Sequence, residues 1–328
     1  MDSYSKQVIV FGSTGPVGTK LVEILSKEHV DWKIWATTRD VTKPSRVKEM
    51  NLPNVALVRV DPVNKAGIIE ASKTCDILFC CIGFQKYERK YWAKYWPVVM
   101  EGLLEATGST KKLVYCDNIY AYGPGTKISP QTLRVPASNK GKPSVRAKLH
   151  QMIQEHMAKN PGTVTVVGGA DFLGPHADNT VLGQVVIGKI VKDESAMAIG
   201  SCSVIHDFCY VPDFAQALAV VAEQDRAFDK FWICPHSIHG KTIQEIANDA
   251  ATMAGKRSPV KITVLNKFMC YLLSPFMGFM GEMIEMLPFW TRDYTVDDSD
   301  FVREFGINAT PYEQALRDTL TFYEKEKM

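Results

Sequence analysis

Near the start of the chain a short apolar strand, Val8-Ile9-Val10-Phe11, runs into Gly12-Ser13-Thr14-Gly15-Pro16-Val17-Gly18 and then into a helical pattern from Lys20 to Lys27. No other feature restricts the fold as much. Strand, glycine-punctuated turn and helix in immediate succession make the first half of a βαβ unit, and the three glycines have separate uses. Gly12 makes the tight turn, Gly15 lets a pyrophosphate approach the backbone, and Gly18 lets the helix pack closely on its strand. The helix N-terminus then faces the phosphate charge. With Thr14, Pro16 and Val17 completing the loop, the segment reads as a dinucleotide site rather than an ordinary turn.

The alternation continues. Lys33 to Thr38 reads as a second strand and Val55 to Val60 as a third, closed by Asp61-Pro62. The unbroken apolar run Asp76 to Ile82, ending at Gly83, has the pattern of a strand buried on both faces. Lys112 to Cys116 and Val164 to Val167 are the next strands, separated by helical patterns over Tyr95 to Ala106 and Ser144 to Lys159. Strands alternating with helices predict an α/β fold, a Rossmann-type doubly wound parallel sheet. Beyond about residue 170 the pattern loosens into helices over 213–223 and 242–254 with loops between them. The expected division is a cofactor-binding domain over 1–175, with later segments returning to the sheet, and a smaller, mainly substrate-binding part over 176–328.

Composition narrows the partners. Lys+Arg number 38 against Asp+Glu 36, so the chain as a whole has no charge excess to attract nucleic acid or anionic lipid. Its 8 cysteines lack metal-ligand spacing and read as reduced thiols of a cytoplasmic protein, with no metal. No secretory pattern precedes Val8. Phe268 to Leu287 is rich in Met, Leu and Phe, but Pro275, Gly278, Gly281, Glu282 and Glu285 break it too often for a membrane span. A substrate-facing or lid segment is expected there, ahead of a surface-associated helix.

The end of the second strand selects the cofactor. An acid there would hydrogen-bond a ribose 2′-hydroxyl, whereas a cation would pair with a 2′-phosphate. Thr37-Thr38 lead into Arg39, and Asp40 comes after it, so NADP(H) is favoured over NAD(H). Asp61, with Pro62, stands where the adenine would lie, or else caps a turn.

These features resemble the extended short-chain dehydrogenases/reductases, the superfamily of NAD-dependent epimerases and dehydratases. The likeness rests on the glycine loop, Asp61-Pro62, Cys81-Ile82-Gly83, and Ile119 to Gly123 after the fifth strand. Ala170 to Pro175, His206 to Asp213 and the segment Phe305 to Leu316 extend it over nearly the whole chain. It implies that Cys81, Ile82, Gly83 and Phe172 border the cofactor, and that the chain is a homodimer through the helices at Tyr95 and Ser144. The superfamily carries a Ser or Thr after the fifth strand, then a Tyr four residues before a Lys on the next long helix. Here Asn118 stands at the Ser/Thr position. Aligning Lys148 with the superfamily Lys puts Ser144 at the Tyr position; aligning Arg146 puts Lys142 there, and the distance forward to Gly174 fits this second register better. Neither supplies a tyrosine, so the chain resembles a branch in which a Lys-Gly…Arg-Ala sequence replaces the usual pair.

Arg146 stays protonated and suits ribose or phosphate binding rather than base catalysis. Lys142 can donate a proton if its surroundings lower its pKa, and Tyr120, Tyr122 and Asp171 are further candidate acids. His176 and Asp178 follow closely and are candidates for the pocket lining. Asp213 reads as a helix cap and His206-Asp207 as a loop tether. Phe84, Tyr87 and Tyr91 stand where the superfamily's substrate pockets begin, within a stretch interleaving aromatic and basic residues whose rings mainly face the sheet. With the Met- and Phe-rich residues 268–290 opposite, they predict a pocket for a small, largely apolar metabolite. The leading expectation is therefore an NADP(H)-dependent oxidoreductase acting on a carbonyl or activated double bond. The alternatives are an isomerase, epimerase or cyclase on the same scaffold, or a cofactor-binding regulator without turnover.

Overall fold

The structure, a computed structural model, describes residues 4–177 and 180–326; Asp178 lies outside them. Eleven strands are present among these residues: β1 (Lys6–Phe11), β2 (Trp32–Thr38), β3 (Val55–Arg59), β4 (Ile77–Cys80), β5 (Lys112–Asp117), β6 (Val164–Gly168), β7 (Asp171–Leu173), β8 (Ala196–Ile199), β9 (Phe208–Tyr210), β10 (Lys230–Ile233) and β11 (Ile262–Leu265). Seven form one sheet in the order β10-β6-β5-β4-β1-β2-β3, every pairing parallel. This is a doubly wound Rossmann-type α/β fold. β4 is central, and its four residues are fully buried, as the continuous apolar run requires. Strand order reverses between β1 and β4, which opens a crevice at the carboxyl ends of these strands.

The expected strands and helices are found with shifted ends. The apolar run at Asp76 pairs only over Ile77–Cys80; Cys81 and Ile82 then leave the ladder to curve over Gly12, with the Cys81 amide still donating to the Phe11 carbonyl at 2.8 Å. The Arg89–Thr107 helix starts six residues earlier than the pattern at Tyr95 predicts. Its first amide, Arg89 N–H, donates to the Glu282 carboxylate at 2.7 Å, a cap supplied from far along the chain.

The Val211–Ala222 helix packs on the Pro16–Glu28 helix, and β10 adds the seventh strand beside β6. A second core gathers Tyr120, Leu173, Phe208, Met280, Met283, Phe289 and Tyr294 over the carboxyl ends of β5 and β6. Asp213 is not the helix cap expected of it. Its carboxylate accepts from the Thr310 amide and hydroxyl, both at 2.7 Å, and from the Ser237 hydroxyl at 2.9 Å, tying two late loops together.

Candidate active site

The glycine loop is built by close backbone approach. Gly12 has φ +80°, and a Cβ there would lie 2.5 Å from the Cys81 carbonyl oxygen; a Cβ on Gly18 would lie 2.3 Å from the Gly12 carbonyl oxygen. Neither neighbour can move, so both positions need glycine. Gly15 differs, because its Cβ would meet only the Gly12 oxygen, at 3.5 Å. Nothing within the chain therefore demands glycine at position 15. The Pro16–Glu28 helix has no side-chain cap and no acid in its first turn, so its first amides are left for an anion. Ser13 and Thr37 brace the loop on β2: the Ser13 hydroxyl donates to the Thr37 carbonyl at 2.8 Å. Across the crevice, a Cβ on Gly83 would meet nothing within 4 Å. This cradle fits a dinucleotide.

Beside it lies a cleft of about 700 Å³ lined by Thr14, Thr38, Arg39, Asp40, Lys43, Ser45, Arg46 and Gln85 among others. Asp40, the one acid there, turns back on its own loop, accepting from the Thr42 amide at 3.0 Å and hydroxyl at 2.6 Å. Asp61, at the end of the β3 segment, likewise accepts from the Val63 amide at 3.2 Å.

β5 carries the floor. Asp117 is buried, accepting from the Ile119 amide at 3.1 Å and meeting His150 Nε2 at 2.8 Å. Arg134 Nε donates to His150 Nδ1 at 2.8 Å, so the His150 proton sits on Nε2 and points at Asp117. Burial opposes ionisation of Asp117, but His150, Arg146 and the Ile119 amide outweigh it and hold the carboxyl below the ordinary carboxylate range. Ile119 itself has φ +48°, a costly conformation for a β-branched residue, which turns the chain sharply between Asn118 and Tyr120. Tyr122 packs edge-on to His150 and its hydroxyl accepts from Arg134 at 3.3 Å. Tyr122 thus belongs to the floor's support, and burial pushes its hydroxyl up to about 12.

The Lys142–Lys159 helix presents Lys142 and Arg146 inward and Lys148 to solvent, while Ser144 bonds its own turn at Gly141. Arg146 is buried against the Trp96 ring, 4.1 Å away, with its guanidinium bonded to the Tyr115 hydroxyl and 3.6 Å from Asp117. Lys142 is fully buried. Its Nζ meets Glu285 at 2.5 Å, Glu282 at 2.9 Å, and the Tyr87 ring at 4.3 Å. Gly141, at φ +115°, lets Glu285 lie against the backbone, where any Cβ would sit 1.7 Å from its carboxylate oxygen.

Above the floor a third set converges. Tyr120 donates to Asp171 at 3.4 Å, and the other Asp171 oxygen meets His206 Nε2 at 2.7 Å. His206 is stacked flat on Trp290, with centroids 4.4 Å apart. Burial, then the Asp171 charge, push the Tyr120 hydroxyl well above the ordinary phenol range, so it holds its proton. The buried Tyr294 hydroxyl has no hydrogen-bond partner, and neither do Asn118 Oδ1, His206 Nδ1 or Arg146 Nε. An orphaned buried polar atom costs about 1–3 kcal/mol unless water or a ligand pairs it.

Of the expected substrate-side residues, Tyr87 joins this set, while Phe84 and Tyr91 pack edge-to-face 5.2 Å apart at its rim. His176 packs on Phe322 of the last helix, and Phe172 on Phe214. Cys81 is buried beneath the loop, and burial pushes its thiol well up, as it does for Cys80 and Cys116, which leaves no reactive thiolate among these three. Tyr294, Glu282, Glu285, His150 and Arg134 have no local motif in the sequence. The only signal for the two glutamates was their oddity inside an apolar run. Among the described residues the one group spaced for a metal ion is Glu28, His29 and Glu223, at the C-terminal ends of the Pro16–Glu28 and Val211–Ala222 helices, two of them exposed.

The crevice, the loop and the floor define a nucleotide-cofactor-binding protein of the short-chain dehydrogenase type. Residues 8–234 match the NAD-dependent epimerase/dehydratase family, and the chain belongs to that family of enzymes. Solved structures agree on the fold. dTDP-glucose 4,6-dehydratase from Bacillus anthracis, in complex with NAD, superposes with a TM-score of 0.80 at 17% identity, covering 98% of each chain. UDP-glucose 4-epimerase from Thermotoga maritima, with UDP-glucose, gives 0.75 at 14% identity over 98% of this chain and 100% of that one. UDP-glucuronic acid 4-epimerase from Bacillus cereus, in complex with NAD, gives 0.75 at 14% over 97% of each. Comparison with curated proteins yields no match.

Proposed function

We propose that this enzyme is an NADP(H)-dependent oxidoreductase that reduces a carbonyl or activated double bond of a small, largely apolar metabolite. The observation that carries the reading is the cation-lined cleft beside the glycine loop, where Arg39, Lys43 and Arg46 outnumber the one lining acid, Asp40, whose Oδ1 is turned onto Thr42. When bound, the nicotinamide cofactor supplies hydride. The chain binds, orients and provides the proton. The amides at the start of the Pro16–Glu28 helix hold the pyrophosphate, and Arg146 Nε is the buried donor available to the ribose. On substrate binding Tyr120 turns its O–H from Asp171 onto the oxyanion that forms, a stronger base than the phenolate, and the proton is then replaced from solvent, while the Asp171–His206 pair holds the ring's surroundings in place. Asn118 takes the place of the usual hydroxyl as a hydrogen-bonding group, and Lys142, neutralised by two carboxylates, acts as a structural tie.

The structural neighbours include enzymes of nucleotide sugars, which supports an epimerase or isomerase as the second reading. A nucleotide diphosphate finds little here. Arg303 is bonded to Asp300, and Arg292 is an isolated exposed cation. The test is stoichiometry. Purified enzyme is given NADPH and a panel of apolar ketones, aldehydes and enones. Net NADPH consumption supports the reductase; turnover with catalytic cofactor supports the isomerase. Tight NADPH binding without conversion of any compound identifies a regulator.

A further inference from the structure

Large apolar side chains left on the surface are concentrated in one hairpin. Phe268 and Phe276 are 74% and 85% exposed, and Tyr271, Leu272, Met277 and Phe279 are exposed beside them. All lie in the Lys267–Leu273 and Gly278–Ile284 helices, which pack on each other, or in the turn between them. The hairpin is anchored by its other side, since Cys270, Met280 and Met283 are buried in the C-terminal core. The rings are therefore presented outward by a packed element. A continuous apolar patch of this kind needs a partner.

Charge identifies the partner. Residues 250–281 contain no Asp or Glu but include Lys256, Arg257, Lys261 and Lys267. Asp193 neutralises Lys256, while Arg257, Lys261 and Lys267 are exposed on the segment leading into the hairpin. A second copy of the chain docking symmetrically would bring the same cations against one another. A lid would have to swing free, but Glu282, one turn from Phe279, is tied to Lys142 and to the Arg89 amide, which fixes the hairpin in place. Apolar rings rimmed by cations match the acyl boundary and head groups of an anionic bilayer. Among the described residues no helix is long and apolar enough to cross it. The near-neutral whole-chain charge hides this local excess.

We propose that the Phe268–Phe279 hairpin docks the protein onto anionic lipid surfaces without spanning them. The test is sedimentation of the full chain with phosphatidylcholine vesicles and with vesicles containing phosphatidylserine. Binding is expected to the second only, weakened by salt. The double variant Phe276→Ser/Phe279→Ser is expected to lose about tenfold or more, and Lys261→Glu/Lys267→Glu several-fold. Both leave thermal unfolding unchanged, because the side chains are exposed. Absence of wild-type binding to either vesicle overturns the proposal. So does a wild-type dimer that the Phe variant dissociates, with no vesicle binding, which makes the face a contact between copies.

Discussion

Lys142 and Glu282 meet 2.9 Å apart inside the protein, joining the start of one helix to a carboxylate 140 residues later. With Glu285 at 2.5 Å this closes a buried ion group around the lysine. Replacing Lys142 by Met leaves Glu285 buried with the Arg89 guanidinium, 3.3 Å away, and Glu282 with the Arg89 amide, and removing one partner of a buried ion group costs up to about 3–5 kcal/mol. Denaturant unfolding is expected to show a loss of that order for Lys142→Met, partly recovered in Lys142→Met/Glu285→Gln. If the single variant is as stable as wild type, the ion group is not structural.

Arg39→Ala is expected to weaken NADPH binding by about tenfold or more, in line with roughly 1.5–3 kcal/mol for a hydrogen-bonded charge, while NADH binding changes little. Titrating cofactor fluorescence checks this. Equal losses for both cofactors would show that Arg39 does not read the 2′-phosphate.

Gly15→Ala and Gly18→Ala separate ligand approach from chain packing. The first introduces an ordinary 3.5 Å contact and is expected to fold normally but bind cofactor poorly. The second drives a methyl to 2.3 Å from a carbonyl and is expected to lose several kcal/mol or fail to fold, as overpacking does at a cost of about 1–3 kcal/mol or more. Melting curves with and without NADPH distinguish them.

Tyr120→Phe is expected to cut turnover by about 10²–10⁴-fold, the usual worth of a positioned acid, with NADPH affinity retained. Asp171→Asn is expected to produce a smaller loss and a shifted pH profile. Single-turnover kinetics check both, and an unchanged rate in Tyr120→Phe removes it as the acid.

His239 bridges Asp207 at 3.0 Å and Asp298 at 3.1 Å, and these hydrogen bonds raise its pKa to about 10. The folded chain then holds a proton that the unfolded chain loses near pH 6.5, about the free imidazole value. The contribution is complete below pH 6.5 and lost as pH rises to about 10. Melting temperature is expected to fall across that window, modestly because the ring is 44% exposed, and the slope to flatten in His239→Gln.

The short periods of strand and helix were readable because each depends on neighbours a few residues away. So was the glycine loop, whose turn, approach and packing demands fall within Gly12 to Gly18. That Lys142 and Arg146 share one face was legible too, since a helix sets the faces of residues four apart. The site's other half was not. Nothing near Tyr294 in the chain announces that its hydroxyl is orphaned beside the site, and nothing near Glu282 says that it will cap the helix beginning at Arg89. The aromatic and basic run at Lys86 therefore concealed that helix's true start.

By itself the sequence determined the Rossmann-type sheet, the dinucleotide loop and the cation after β2, all set by local backbone geometry and hydrophobic period. Only the tertiary structure decided which polar groups lose their water together. It brings Tyr120, Asp171 and His206 into one chain of hydrogen bonds, and it buries Lys142 between two carboxylates from another helix. Ionisation and hydrogen bonding follow from burial and from partners far apart in sequence, and folding alone supplies both.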